Sequence, residues 1–437
     1  MAKNKEPEMG SSDSKKFMRE RVVKPPVNKG RIAGRILALF LAAVFFGVVA
    51  CITFVLARPW AEAHFSSPEE SEPIIIPKDE ETEAPTTEPA PTETEPVETE
   101  PIEDIVQSAI EENELDLEDY KTMYDAVKEV AADVDSGIVT VNSVTQELDC
   151  FDNMVENAGQ FSGIIIAKTD TEVLILTNRQ AISDADTIKI TFFNDTQASG
   201  TVKQSDSISG IAVVSVAVAE LAETTADRLT PLALGNSYSV KQGDPIIVVG
   251  SPAGAVHSLS YGIVSYVRKH IPVPDGQIRL IYSDARTDAD KGSFLLNLSG
   301  EVVGIATDTF KDDSSTGMTQ ALAISDYKGI LEKLTNGMSP SYLGIKGQDI
   351  TQELSEGFEM PRGVYVSEVI NDSPAYTVGI QSGDIITKIG SKEIVTMSEL
   401  QSQIEGTLPE VPVDVVVQRK GVEEYKEIHF PVVLGIR

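Results

Sequence analysis

The sequence predicts a mainly β protein that is followed by a small α+β module and preceded by a membrane-spanning helix. Short β-branched runs, broken by Gly, Asn and Asp, recur through residues 137–323 and are typical of an all-β barrel or sandwich. Strand and helix patterns then alternate through residues 342–437, as in a small α+β domain. An uncharged run at 36–57 matches the roughly 20 residues that cross a bilayer as a helix.

The uncharged run 36–57 is preceded by a basic tail. Residues 1–35 are rich in Lys and Arg, which places them in the cytoplasm by the positive-inside rule. A cleaved signal peptide is the alternative, but its apolar core is usually only about 7–15 residues long. Arg58-Pro59-Trp60 also resembles an interfacial anchor. We therefore expect an uncleaved, single-pass anchor in the cell membrane, with the bulk of the chain outside the cytoplasm.

Residues 58–104 are dominated by Glu, Pro and Thr, and we expect them to form a disordered acidic stalk. Apart from Ile74-Ile75-Ile76, the segment has little apolar surface to offset the loss of chain entropy on folding. Its prolines favour polyproline II and its like charges repel one another, so the stalk should hold the folded part away from the membrane.

The folded part is expected to comprise two domains, at 105–336 and 340–437. Residues 337–340, Gly-Met-Ser-Pro, have the composition of a hinge between them. An amphipathic helix is expected to lie against the first domain, through the apolar stripe Leu117, Tyr120, Met123, Tyr124 and Val127.

Charge and cysteine content exclude several classes of function. The net charge of −32 argues against nucleic acid as a partner, because nucleic-acid binders cluster Lys and Arg on one surface. Cys51 and Cys150 are too few for a disulfide scaffold, and Cys51 lies inside the apolar run, so both are expected as free thiols. We expect no cofactor and no metal site.

Several segments carry the motifs of a known protein family. In the β region these are Ser162-Gly163-Ile164-Ile165-Ile166, Leu176-Thr177-Asn178, Val249-Gly250-Ser251-Pro252-Ala253-Gly254, Gly262-Ile263-Val264-Ser265, and the run from Asn297 to Ile305. In the last module they are Tyr342-Leu343-Gly344-Ile345, Ser373-Pro374-Ala375, Gly379-Ile380 and the run from Ser382 to Ile386. These segments resemble the HtrA/DegP family, whose members join a trypsin-like protease domain to a C-terminal PDZ domain. The resemblance implies a trypsin-like double β-barrel followed by a PDZ domain.

The resemblance also assigns the catalytic triad to positions that hold the wrong residues. Gln180 stands where the family has its histidine base, and an amide cannot accept a proton near neutral pH. Gly210 stands at the acid, and Lys291 stands at the nucleophilic serine when the alignment is counted back without gaps from Asn297. Ser293 reaches that position only if the alignment slides by two residues, and a dyad of Ser293 with Lys291 is the associated alternative.

The PDZ resemblance implies a peptide-binding loop at Tyr342, Leu343, Gly344 and Ile345. Successive backbone N–H groups around a glycine suit a C-terminal carboxylate, and the adjacent strand edge can accept an added strand. We expect the helix opened by Ser373-Pro374-Ala375 to form the other wall of the groove. The predicted partners are peptides, protein C-termini and unfolded envelope proteins, and the family suggests a homotrimer.

The sequence therefore predicts a membrane-anchored pseudoprotease that binds peptides or protein C-termini through its PDZ domain, in envelope quality control or signalling. The alternative is an active HtrA/DegP-type serine endopeptidase that degrades unfolded envelope proteins. Fold alone cannot separate the two, because chemistry belongs to sites.

Overall fold

The computed structural model describes residues 73–80, 117–148, 154–310, 317–422 and 424–437. These residues lie within one compact unit, Glu72–Arg437. The predicted tail 1–35 and anchor 36–57 lie outside the described residues, as do both cysteines. Within the described ranges, no helix is both long and apolar enough to cross a membrane.

The first half of the β domain is a closed antiparallel barrel. Its strands are β1 (Ile138–Leu148), β2 (Met154–Lys168), β3 (Glu172–Asn178), β4 (Thr187–Thr191), β5 (Gln197–Asp206) and β6 (Ile211–Ala217). They follow the order β1-β2-β3-β6-β5-β4, and β1 pairs with β4 to close the ring. Closure leaves no free sheet edge. The interior is filled by branched aliphatic side chains such as Val141, Ile175 and Ile190.

The second half repeats this architecture. Its strands are β7 (Pro245–Gly250), β8 (Ser260–Val273), β9 (Gly276–Ser283), β10 (Ser293–Leu296), β11 (Val302–Ala306) and β12 (Thr319–Ala323). They close in the order β10-β11-β12-β9-β8-β7. The two barrels share one apolar core, in which Ile164 and Leu176 of the first barrel belong to the same cluster as Val249 and Phe294 of the second. The predicted double barrel is confirmed.

Four α-helices of the described residues accompany the barrels. They are α1 (Leu117–Val134), α2 (Gln180–Ser183), α3 (Glu223–Ala226) and α4 (Lys328–Thr335). The predicted packing of α1 is wrong over most of its stripe: Val127 is buried, but Leu117, Tyr120, Met123 and Tyr124 are exposed. The last turns of the helix, with Val127, Val130 and Val134, reach the core, while the Tyr124 ring meets that of Tyr261 edge-on at 6.3 Å.

The C-terminal domain is a small α+β module. Its elements are β13 (Ser341–Tyr342), β14 (Ile345–Asp349), α5 (Gln352–Phe358), β15 (Val364–Val369), α6 (Pro374–Val378), β16 (Ile385–Ile389), β17 (Lys392–Glu393), α7 (Met397–Gly406), β18 (Pro412–Lys420), β19 (Tyr425–Val433) and β20 (Gly435–Ile436). The main sheet has the order β14-β15-β16-β18-β19, and β13 pairs with β20. A capping box between Thr396 and Glu399 fixes the start of α7.

Part of the predicted stalk is ordered against the folded domains, which corrects the expectation of disorder throughout 58–104. Ile74 exchanges hydrogen bonds with the side-chain amide of Asn336, and its N–H donates at 2.9 Å. Asp79 forms an ion pair with the buried Lys328 at 2.8 Å, and Lys78 reaches Glu405 of α7 at 3.1 Å. Ile74 and Ile76 also pack against the apolar core shared by the barrels.

A buried ion pair joins the first barrel to the end of the C-terminal domain. Nε of Arg437 donates to Oδ1 of Asp206 at 2.8 Å, and the two side chains are 6% and 0% exposed. Asp206 also accepts hydrogen bonds from the N–H and the hydroxyl of Ser209. This carboxylate is therefore fully satisfied away from water.

We predict that Arg437→Met destabilises the protein by about 3–5 kcal/mol, because it leaves Asp206 as an uncompensated buried charge. The measurement is the free energy of unfolding in urea. The control is Lys128→Met, since Lys128 pairs with Asp125 on an exposed helix face and should contribute at most about 1 kcal/mol. Equal losses in the two variants would contradict the prediction.

Candidate functional site

A cleft lies between the loops of the two barrels. Its lining includes Asn178, Gln180, Gly210, Ala289, Asp290 and Gly292. The side-chain amide of Asn178 donates to the carbonyl of Ala289 at 2.9 Å, which ties the end of β3 to the loop before β10. The N–H of Arg179 donates to the carbonyl of Gly210 at 2.8 Å. The structure thus brings Gln180, Gly210 and the 289–292 loop together, although they are far apart in sequence.

Gln180 begins helix α2 and faces the opposite barrel. Its N–H donates to Oδ1 of Asn178 at 2.8 Å, and its side-chain Nε2 donates to Oδ1 of Asp290 at 3.3 Å. The amide therefore links the two sides of the cleft. It serves as a hydrogen-bond donor here, and its carbonyl oxygen is too weak a base for proton abstraction.

Gly210 has a left-handed backbone with φ of +73°, and a Cβ built there would meet no atom within 4 Å. A side chain would have room, but glycine favours this backbone conformation. The nearest buried carboxylate, Asp206, is already bonded to Ser209 and Arg437. It is therefore held away from any base in the cleft.

Lys291 does not direct its ammonium group into the cleft. Its Nζ lies 4.7 Å from the centroid of the Phe161 ring, in a cation–π contact. Its N–H donates to Oδ1 of Asp288 at 3.1 Å. In a working protease the N–H groups of this loop must be free to bind the developing oxyanion. Here the N–H of Lys291 is already bonded to the carboxylate of Asp288 in the same loop.

Ser293 is buried at the start of β10, with 0% of its surface exposed. Its hydroxyl donates to the carbonyl of Asp288 at 2.9 Å and accepts from the N–H of Asp288 at 3.1 Å. These bonds close a tight loop from 288 to 293. The geometry gives the hydroxyl a structural role, and Lys291 lies over Phe161 instead of beside Ser293.

The histidines of the described residues lie elsewhere. Nδ1 of His257 is 2.8 Å from Oδ1 of Asp135, Nδ1 of His270 is 3.1 Å from Oε1 of Gln277, and Nδ1 of His429 is 2.8 Å from Oδ2 of Asp414. All of these rings are exposed. His64 lies outside the described residues. Within the described ranges, no histidine lines the cleft.

In the loop from Tyr342 to Ile345, here called the carboxylate loop, three backbone N–H groups converge on a carboxylate of the same chain, that of Asp275. The N–H of Leu343 donates to Oδ2 of Asp275 at 2.7 Å. The N–H groups of Gly344 and Ile345 donate to Oδ1 at 2.7 and 3.0 Å. Burial raises the pKa of the Asp275 carboxyl, while these N–H donors act to lower it.

The wall of the groove differs from the prediction. The helix opened by Ser373-Pro374-Ala375, α6, supports the loop from behind: the N–H of Ala375 donates to the carbonyl of Leu343 at 3.0 Å. Helix α7 lies beside β14 instead, and the N–H of Met397 donates to Oδ1 of Asp349 at 2.6 Å. Both helices begin after a hydroxyl cap, so the sequence alone did not distinguish their positions.

The sequence analysis missed Asp275, whose carboxylate meets the carboxylate loop. It lies in a Pro-Asp-Gly turn, which is a recognisable hairpin signal. The turn could be found from the sequence. Its partner could not, because the loop that it contacts is 68 to 70 residues away.

Comparison with known proteins identifies both domains. Residues 161–305 match the family model of the trypsin-like peptidase domain, and residues 341–429 match that of the PDZ domain. The chain is 30% identical over 266 residues to a DegP-like periplasmic serine endoprotease of Pseudomonas fulva, covering 60% of this chain and 53% of that protein. This chain is an HtrA/DegP homologue.

This chain is also similar to the serine protease Do-like HtrA of Bacillus subtilis. The two are 28% identical over 292 residues, which cover 62% of this chain and 63% of that protein. The match to this chain spans about half the length of the first two curated relatives, 53% and 55%. The solved structure of the HtrA-type protease AlgW with a decapeptide aligns with a TM-score of 0.52 and 20% identity, covering 71% of this chain and 98% of that one. This likeness shows the fold.

We predict that Gly344→Val in this homologue disrupts the carboxylate loop. A Cβ at Gly344 would lie 2.2 Å from the Cβ of Ser373, and its φ of +89° disfavours any β-branched residue. We expect the clash and the backbone strain together to lower the free energy of unfolding by roughly 2–5 kcal/mol. The measurement is unfolding in urea.

The matched control is Gly357→Ala. Gly357 lies in helix α5, and a Cβ there would meet no atom within 4 Å. This variant should be neutral or stabilised by up to about 1 kcal/mol. An intact, fully stable Gly344→Val protein would show that the loop does not have the described backbone.

Proposed function

We propose that this HtrA/DegP homologue is a non-catalytic, membrane-anchored protein that binds the free C-termini of extracytoplasmic proteins through its PDZ domain. One observation carries the proposal: three consecutive N–H groups, of Leu343, Gly344 and Ile345, converge on one carboxylate. A loop that holds an aspartate in this way has the donors that a terminal carboxylate requires.

The chemistry of the cleft supports the absence of catalysis. Serine proteolysis needs a nucleophile, a base within hydrogen-bond reach and a donor pair for the oxyanion. At the positions assigned by the resemblance, Gln180 is a hydrogen-bond donor to Asp290, and Gly210 offers no carboxylate. The N–H of Lys291 is taken by Asp288. Losing triad residues typically costs about 10⁴–10⁶ in rate.

The alternative is an active envelope endopeptidase, and the names of the curated relatives favour it. It would require Ser293 as the nucleophile. The hydroxyl of Ser293 would then have to leave its two bonds to Asp288 and find a base. No described histidine lines the cleft to serve as that base.

We predict that the purified protein neither degrades unfolded casein nor reacts with a fluorophosphonate probe, because the cleft offers no activated hydroxyl. Casein loss is followed by gel electrophoresis and labelling by intact-protein mass spectrometry. The Bacillus subtilis relative, assayed in parallel, is the positive control. Stoichiometric labelling at Ser293 would overturn the proposal in favour of the endopeptidase.

Membrane anchoring and assembly also belong to the proposal. The uncharged run 36–57 and the basic residues before it support a single anchor with the N-terminus in the cytoplasm. A role in envelope quality control or signalling fits that topology. The homotrimer is a proposal from the resemblance alone.

We predict that the full chain sediments with membranes, whereas a variant lacking residues 1–58 stays in the supernatant, because the bilayer-length apolar run is removed. The measurement is ultracentrifugation of lysates followed by blotting for an epitope placed at Arg437. In intact cells, added protease should remove that epitope but spare one at Met1. A deletion variant that still pelleted after a carbonate wash would contradict a single anchor.

A further inference from the structure

The turn between β8 and β9 reaches out of the second barrel and into the C-terminal domain. Val273 pairs with Gly276, so Pro274 and Asp275 form the tip. Asp275 has a left-handed φ of +63° and is 2% exposed. A charged residue at a hairpin tip is normally solvated, so its burial here requires a specific partner.

The partner is the carboxylate loop, and Asp275 binds it as the last residue of a peptide would. Its side-chain oxygens accept the N–H groups of Leu343, Gly344 and Ile345. Its own backbone N–H donates to the carbonyl of Ile345 at 2.7 Å. Ile345 opens β14, an edge strand of the domain's main sheet. A carboxylate in the loop together with a backbone bond to an edge strand is the bonding of an added terminal strand.

The hairpin tip also contacts helix α7, which lies beside β14. A Cβ built at Gly276 would lie 2.5 Å from Oε1 of Gln401, so the turn packs closely against this side chain of α7. The tip is therefore enclosed by the loop on one side and by α7 on the other. A peptide C-terminus that used the same N–H groups could not enter while the tip remains.

We propose that Asp275 is an internal ligand of the PDZ domain, and that a protein C-terminus binds in the groove only by displacing the β8–β9 tip. This inference rests on the proposed function and adds its regulation. The external carboxylate replaces the internal one on the same three donors. Displacement separates the β8–β9 tip from the domain, so binding of a C-terminus is coupled to an opening between the second barrel and the PDZ domain.

Self-occupation has a measurable consequence for affinity. The apparent dissociation constant equals the intrinsic constant divided by the open fraction, so a domain open about one-tenth of the time binds about tenfold more weakly. Asp275→Asn keeps the shape of the side chain but turns part of the carboxylate into an N–H donor. That group faces the N–H donors of the loop and weakens the internal contact.

The test uses the full chain in detergent micelles and fluorescein-labelled nonapeptides that end in a free Val, Leu, Ala or Phe. We expect Asp275→Asn to bind the best of them at least about tenfold more tightly than the wild type, by fluorescence anisotropy. C-terminally amidated versions should lose binding to both proteins. The matched control is Asp195→Asn, since Asp195 also lies in a hairpin turn with φ of +60° but is exposed. It should bind as the wild type does.

Amide hydrogen exchange gives a readout that needs no peptide. The N–H groups of Leu343, Gly344 and Ile345 should exchange at least about tenfold faster in Asp275→Asn, while those of the first barrel keep their rates. Unchanged barrel rates also show that the variant is folded.

The outcomes separate this inference from the proposed function. Equal peptide binding by wild type and Asp275→Asn, or unchanged exchange in the loop, would overturn the internal ligand and leave C-terminus recognition standing. If exchange shows the loop open in Asp275→Asn and neither protein binds any peptide, recognition of C-termini is refuted, and the displacement step with it.

Discussion

The apolar core shared by the two barrels is the constraint on which the rest of the molecule depends. Ile164 and Leu176 of the first barrel and Val249 and Phe294 of the second belong to one cluster. Because each barrel is closed, its backbone hydrogen bonds are satisfied without outside partners. Their relative placement then follows from packing, and that packing creates the cleft. Nothing in it requires a histidine or a serine, so the scaffold persists when the residues of the site change.

Inside that scaffold, the loop that a protease would use for catalysis is held by internal bonds. Asp288 accepts from the N–H of Lys291 through its side chain and exchanges two bonds with the hydroxyl of Ser293. The N–H of Lys291 and the hydroxyl of Ser293 thus find their partners inside the loop. The two sides of the cleft remain linked, since Gln180 donates a hydrogen bond to Asp290 across it. The N–H of Lys291 is not available to stabilise an oxyanion, because it donates to Asp288.

The sequence predicted what depends on local pattern and failed where distant residues decide. Short β-branched runs located the barrel strands, and the resemblance to a PDZ domain located the loop around Gly344. The docking of 73–80, the exposed stripe of α1 and the assignment of α7 instead of α6 to the groove depend on which surfaces face each other. Asp275 is the clearest case. Its turn is legible in the sequence, but its burial depends on a loop in another domain.

Three buried aspartates show why Asp275 can be exchanged and the others cannot. Asp206 is bonded to the guanidinium of Arg437, and Asp384 to that of Arg419, by 2.7 and 2.8 Å bonds. Opening the first pair leaves two buried charges unpaired, and opening the second leaves the buried Asp384 without its guanidinium, which is strongly unfavourable. Asp275 is held by backbone N–H groups. A terminal carboxylate can accept the same number of hydrogen bonds from those groups. The loop then loses nothing in hydrogen bonding, and Asp275 regains its hydration. The exchange therefore depends on the contacts that the rest of the arriving chain makes along β14.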